Sequence, residues 1–154
     1  MNRISLAAIV LLGLTACSRT LPINETGTLT QGRFACVDID LGSDVPLSIG
    51  QTTLDQPNEM TGSCGGDRAP EVTFLWTAPA DGIYVFDTLG SDYDTLIYAT
   101  VGACSGDELD CNDDAPGSVS SVMTIQAEAG AQIVLTIDGF GDDSGEFRLQ
   151  INEI

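Results

Sequence analysis

The chain has 154 residues, 43% of them hydrophobic, with 23 acidic residues, five Arg and neither Lys nor His, for a net charge of −18. That charge repels nucleic acid and anionic lipid headgroups and attracts cations, which excludes nucleic-acid binding. The missing His and Lys remove His-based triads, His general bases and metal sites, and Lys nucleophiles and Schiff bases.

The chain begins MNRISLAAIVLLGLTAC. Arg3 supplies a short positive region, and the apolar run from Ile4 to Leu14 is too short to span a bilayer stably. Leu14-Thr15-Ala16-Cys17 resembles the lipobox of bacterial lipoproteins, in which the cysteine is acylated (palmitate-type chains) and becomes the new N-terminus. Ser18 follows it rather than Asp, and in that family Asp is associated with inner-membrane retention, so the resemblance implies the outer membrane of a Gram-negative bacterium. An ordinary secretory signal with a chance cysteine is the alternative. The expected organisation is a signal peptide at 1–16, a lipidated Cys17 with a polar tether at 17–32, and one folded domain at 33–154. No other segment is long and apolar enough to span a membrane.

Setting Cys17 aside leaves Cys36, Cys64, Cys104 and Cys111, an even number in an exported chain, which reads as two disulfides. Cys104 and Cys111 flank the turn-like SGDELD, so the expected pairing is Cys104–Cys111, with Cys36–Cys64 by elimination. A zinc site is disfavoured because no CxxC knuckle is present and exported thiols oxidise.

Period-two alternation runs through the domain. It is clearest in EFRLQI, where Phe147, Leu149 and Ile151 share one face and Glu146, Arg148 and Gln150 the other. Comparable runs are RFACVDIDL (33–41), VTFLWTA, GIYVFDT (82–88), DTLIYAT (94–100), SSVMTIQA (120–127) and QIVLTID (132–138). Gly, Pro, Asp or Ser punctuates nearly every gap, and no amphipathic helix is evident, so the pattern predicts an antiparallel β-sandwich. Between Gly42 and Pro70 the pattern offers only a strand near Val45–Ile49 and a long loop carrying Cys64.

Three blocks together, APEVTFLWTAPADGIYVFDTLGSDYDTLIY, LDCNDDAPGSVSSVMTIQAEAG and IVLTIDGFGDDSGEFRLQI, resemble the bacterial pre-peptidase C-terminal domain. The likeness lies in the strand end Trp76 to Pro79 and the Gly-started strand Gly82 to Asp87. It continues in Asp94 to Tyr98, the loop Asn112 to Asp114, and the Gly-x-x-x-Gly-x-aromatic hairpin at Gly141 to Phe147. It covers about 85 residues, Pro70 to Ile154. The cysteine pair before Asn112 also resembles a variant of this domain found in surface proteins of environmental bacteria. The resemblance implies a jelly-roll-like sandwich acting as an accessory binding or targeting module. This chain has no room for the catalytic domain the family usually accompanies. The acidic linker through which collagen-binding relatives hold calcium is represented only by Glu25, so neither activity nor that site carries over.

Three loops concentrate acidic residues. One holds Asp92 and Asp94, the second Asp110, Asn112, Asp113 and Asp114, and the third region Asp138, Asp142 and Asp143. Asp110, Asn112 and Asp114 match positions 1, 3 and 5 of an EF-hand, but Ala115 and Ser121 stand where Gly and a bidentate Glu belong, so an EF-hand is rejected. A looser calcium site pooled from these nine residues is the candidate, and simple Asx-turns are the alternative. Tyr93 and Phe140, set among glycines and acids, are candidate ligand-contact rings, with core packing as the alternative. Asp143-Ser144-Gly145 echoes an aspartic protease motif without a second copy, and chance carboxylate pairs are expected among 23 acids. No catalytic residue is assigned. The expected function is a non-enzymatic envelope lipoprotein displaying a module that binds glycan, protein or matrix, with calcium ordering its loops. The alternatives are a structural spacer or assembly subunit that binds another envelope protein and, third, a carboxylate-dependent hydrolase.

Overall fold

The computed structural model describes residues 32–154; the expected signal peptide at 1–16, Cys17, Glu25 and the rest of the expected tether up to residue 31 lie outside the described residues. Within them are nine strands: β1 (Ile39–Gly42), β2 (Leu47–Thr52), β3 (Val72–Thr77), β4 (Gly82–Asp87), β5 (Thr95–Val101), β6 (Glu108–Asn112), β7 (Val122–Ala127), β8 (Gln132–Gly139) and β9 (Glu146–Glu153). The larger sheet has the order β1-β3-β8-β5-β6 and the smaller one β2-β9-β4-β7. From β2 to β9 the chain alternates between sheets except at the β5–β6 hairpin, which is the wiring of a jelly roll.

The inward faces are the ones the alternation marks. Phe74 and Trp76 on β3, Tyr84 and Phe86 on β4, Ile133, Leu135 and Ile137 on β8, and Phe147, Leu149 and Ile151 on β9 are all buried between the sheets. Trp76 meets Tyr84 and Phe86 edge to face, with centroids 4.8 and 5.4 Å apart, so aromatic packing ties one sheet to the other.

Three expectations are corrected. The antiparallel pattern is broken by β1, which adds in parallel to β3. It begins at Ile39, the preceding Arg33 to Cys36 forming turns rather than strand. Glu108 to Asp110, read as part of the turn-like SGDELD, belong with Cys111 and Asn112 to strand β6, paired with β5. The disulfides are Cys36–Cys104 and Cys64–Cys111, with Cα separations of 5.9 and 5.7 Å, not Cys104–Cys111 and Cys36–Cys64. Strand β6 explains the change. Cys111 faces Tyr98 down the ladder, whereas Cys104 lies in the turn beyond Val101. At about 3.3 Å per residue, Cys111 is about 10 Å along the strand from Glu108, beyond the roughly 7 Å Cα reach of a disulfide.

Each bridge therefore fastens an irregular segment to the β5–β6 hairpin. Cys36 ties down the incoming chain. Cys64 ties down residues 53–71, a strap across the outer face of the larger sheet, where Gly62, Gly65 and Gly66 rest on Tyr98, Leu96 and Asp138. The strap buries the outward side chains of Leu96 and Tyr98, so these strands are covered on both faces.

The sandwich has two distinct ends. At one, the segments following β2, β4, β6 and β8 are joined by backbone bonds such as Thr88 N to Ser121 O (3.0 Å), Thr95 N to Val119 O (3.0 Å), Phe140 N to Asp94 O (2.9 Å) and Thr53 N to Gly145 O (3.0 Å). At the other, the turns after β3, β5 and β7 meet, and Cys104 N donates to Arg33 O at 2.7 Å. The incoming chain is thus fixed at the end opposite the acidic loops.

Candidate functional site

The woven end gathers three of the nine candidate ligands. Carboxylate oxygens of Asp94, Asp113 and Asp114 lie within 4.8 Å of one another. Asp94 and Asp113 are half-buried and Asp114 is exposed. One oxygen of Asp94 and one of Asp113, both Oδ1, are buried without a hydrogen-bond partner. Both carboxyls are raised above their ordinary range. Burial is the main cause at Asp94, with repulsion from Asp113, Asp114 and Asp143 added; at Asp113 it is burial and then Asp114.

The local fold holds this group in place through a buried hydroxyl network. Thr88 Oγ1 lies 2.6 Å from Thr95 Oγ1, which lies 3.0 Å from Ser121 Oγ. Ser121 Oγ is also 2.7 Å from the carbonyl oxygens of both Thr95 and Asp113. The loop after β4 and the loop after β6 are thereby locked to each other beside Asp94 and Asp113. Asn112 contributes from the same side: its Oδ1 accepts a 2.8 Å bond from Val122 N, which sets the start of β7.

The remaining candidates do other work. Asp92 Oδ1 accepts from Glu146 N at 2.8 Å and ties its loop to β9. Asp110 Oδ1 accepts from Cys111 N at 2.9 Å. Asp142 pairs with Arg68 at 3.4 Å on the surface. Asp138 stands apart beneath the strap, where Oδ2 accepts from Tyr98 Oη at 3.2 Å and Oδ1 from Gly139 N at 2.7 Å. Tyr93 is corrected: at 8% exposure it packs in the core and is not a surface ring. Phe140 is 52% exposed and Val119 55%; Phe140 N donates to Asp94 O, and Val119 O accepts from Thr95 N.

No family model matches the sequence, and no curated protein matches it. Among solved structures, the chain is similar to the pre-peptidase C-terminal domain of a collagenase from Bacillus anthracis, with a TM-score of 0.51 at 10% identity, over 75% of this chain and 96% of that one. The fold is that of a pre-peptidase C-terminal domain. The chain is also similar to PliG of Aeromonas hydrophila, a periplasmic inhibitor of g-type lysozyme, with a TM-score of 0.46 at 11% identity, over 75% of this chain and 97% of that one.

In this pre-peptidase C-terminal fold, several residues that matter to the site carry no conspicuous sequence signal. Ser121 and Thr95 look like ordinary strand-edge hydroxyls, yet both are fully buried in the network behind the acids. Glu71 is 3% exposed beneath the strap, although one glutamate before a strand resembles any other.

Proposed function

We propose that the protein is an exported, lipid-anchored, non-catalytic module whose acidic loop end takes a divalent cation, calcium by preference, and binds an oxygen-rich ligand through it. The observation that carries this reading is the opposition of the two ends. The chain enters beside Arg33 and the Cys36–Cys104 bridge, while Asp94, Asp113 and Asp114 converge at the other end. Strand β8 has eight residues, so the acidic end lies about 25 Å along the sandwich from the point where the chain enters the domain, leaving that end free of the anchoring side.

Calcium takes six to eight oxygens at about 2.3–2.6 Å. Three carboxylates supply part of that shell, and the partnerless oxygens of Asp94 and Asp113 are the groups a cation would satisfy. Water and a ligand carboxylate or hydroxyl complete it, as in a glycan, a matrix protein or another envelope protein. The three acids converge on one surface point instead of facing each other across a cleft, which favours binding over carboxylate-pair hydrolysis.

The test is thermal unfolding of the lipid-free chain from residue 18 onward, in EDTA, then calcium, then magnesium. Binding at 100 times the Kd adds about 2.7 kcal/mol, a rise of several degrees in Tm. A calcium rise that magnesium does not reproduce, and that Asp94→Ala and Asp114→Ala abolish, supports the reading; an unchanged Tm in calcium sinks it. Palmitate labelling of the full chain, lost in Cys17→Ser, tests the anchor separately.

A further inference from the structure

Two acidic side chains lie beneath the strap formed by residues 53–71. Asp138, on the outward face of β8, is fully buried, and Gly66 rests so closely on it that a Cβ there would collide with Oδ2. Glu71, where the strap joins β3, is likewise buried. Its Oε1 accepts from Glu59 N at 2.7 Å and Met60 N at 2.9 Å, and its Oε2 is buried without a partner.

No cation faces this pair among the described residues. From the strap come Asp67 and Glu59, from β5 Tyr98, and from the loop after β4 Tyr93, all acidic or neutral. The strap's own Arg68 is exposed and pairs outward with Asp142. Buried carboxyls without a counter-charge favour their neutral forms. Burial pushes Asp138 up to about 6, against the opposing bonds from Gly139 and Tyr98, and repulsion from Asp67 adds to the rise. Burial raises Glu71 too, opposed by the two amide bonds and reinforced by Asp138.

We propose that residues 53–71 are a proton-closed cover over the outer face of the larger sheet, held shut while Glu71 and Asp138 are uncharged and loosened when they ionise. When closed, the cover buries Leu96 and Tyr98; when it loosens, water reaches both carboxyls and this apolar face becomes accessible. The Cys64–Cys111 bridge keeps the middle of the strap attached, so loosening concentrates at Glu59 and Met60 and at the 3.1 Å bond from Glu71 N to Pro57 O. In the open form both acids return toward ordinary values. Closure is therefore favoured at low pH and lost as the pH rises through the raised values.

Hydrogen exchange on the lipid-free domain in EDTA, corrected for the intrinsic pH dependence of exchange, tests this independently of any cation at the loop end. Between about pH 5 and about pH 7.5, protection at Glu59 and Met60 is expected to fall about tenfold or more while Leu135 in the core keeps its protection. Asp138→Asn and Glu71→Gln should each flatten that fall. Unchanged protection in the wild type, or a fall that survives both substitutions, overturns the proposal. Should either variant fail to fold, carboxyl-carbon NMR of the unmodified domain decides. An Asp138 midpoint near 6 supports the latch, and one near the ordinary value of about 4 overturns it.

Discussion

The hydroxyl of Ser121 lies 2.7 Å from the carbonyl oxygen of Asp113, and thereby couples the start of β7 to the acidic loop behind it. Ser121 is fully buried, so Ser121→Ala leaves the Asp113 and Thr95 carbonyls short of a donor. The expected loss is about 1–3 kcal/mol, read as a Tm lower by several degrees. Any calcium-dependent rise should shrink as well, because Asp113 is no longer held against Asp94. A variant as stable as wild type would show that the network is dispensable.

Asp94 and Asp113 repel each other in the cation-free protein, so Asp94→Asn and Asp113→Asn should each stabilise it in EDTA, by less than about 1 kcal/mol given their partial exposure. The pH dependence has a definite sign. Both folded-state values are raised, so the stability contributed by these groups is present at low pH and lost as pH rises through the raised values. In EDTA, the Tm advantage of the double variant over wild type should narrow as the pH falls from about 7 to about 5. An advantage independent of pH would contradict the repulsion.

The disulfide framework has a direct check. Non-reducing proteolysis and mass spectrometry should recover peptides linking Cys36 to Cys104 and Cys64 to Cys111, with none linking Cys104 to Cys111. The bridges span 68 and 47 residues, and loop-closure entropy assigns about 4 kcal/mol to each. Replacing Cys64 and Cys111 together by Ser should lower Tm and also raise the protease sensitivity of residues 53–71.

Gly66 and Gly90 both have left-handed backbones, with φ of +87° and +94°, but only Gly66 is pressed against a neighbour. Gly90→Ala should therefore cost about 1 kcal/mol, the conformational penalty alone. Gly66→Ala should cost clearly more, because its Cβ also meets the Asp138 carboxylate. Equal losses of Tm would mean that the strap yields freely at this point.

By itself the sequence determined the β-sandwich, because period-two burial is a local property. Phe147, Leu149 and Ile151 must share a face whatever strand lies beside them. It also marked the acid-bearing loops, whose composition needs no partner to be read. The tertiary structure alone decided which members of those loops meet. Asp94, Asp113 and Asp114 converge because β5 and β6 form a hairpin at the sheet edge, while Asp138, next to the end of β8, falls on that sheet's outer face beneath the strap. The cysteine pairing and the burial of Glu71 follow the same rule. Both depend on where a long irregular segment crosses a sheet, and that is set by contacts between residues dozens of positions apart, which local spacing does not encode.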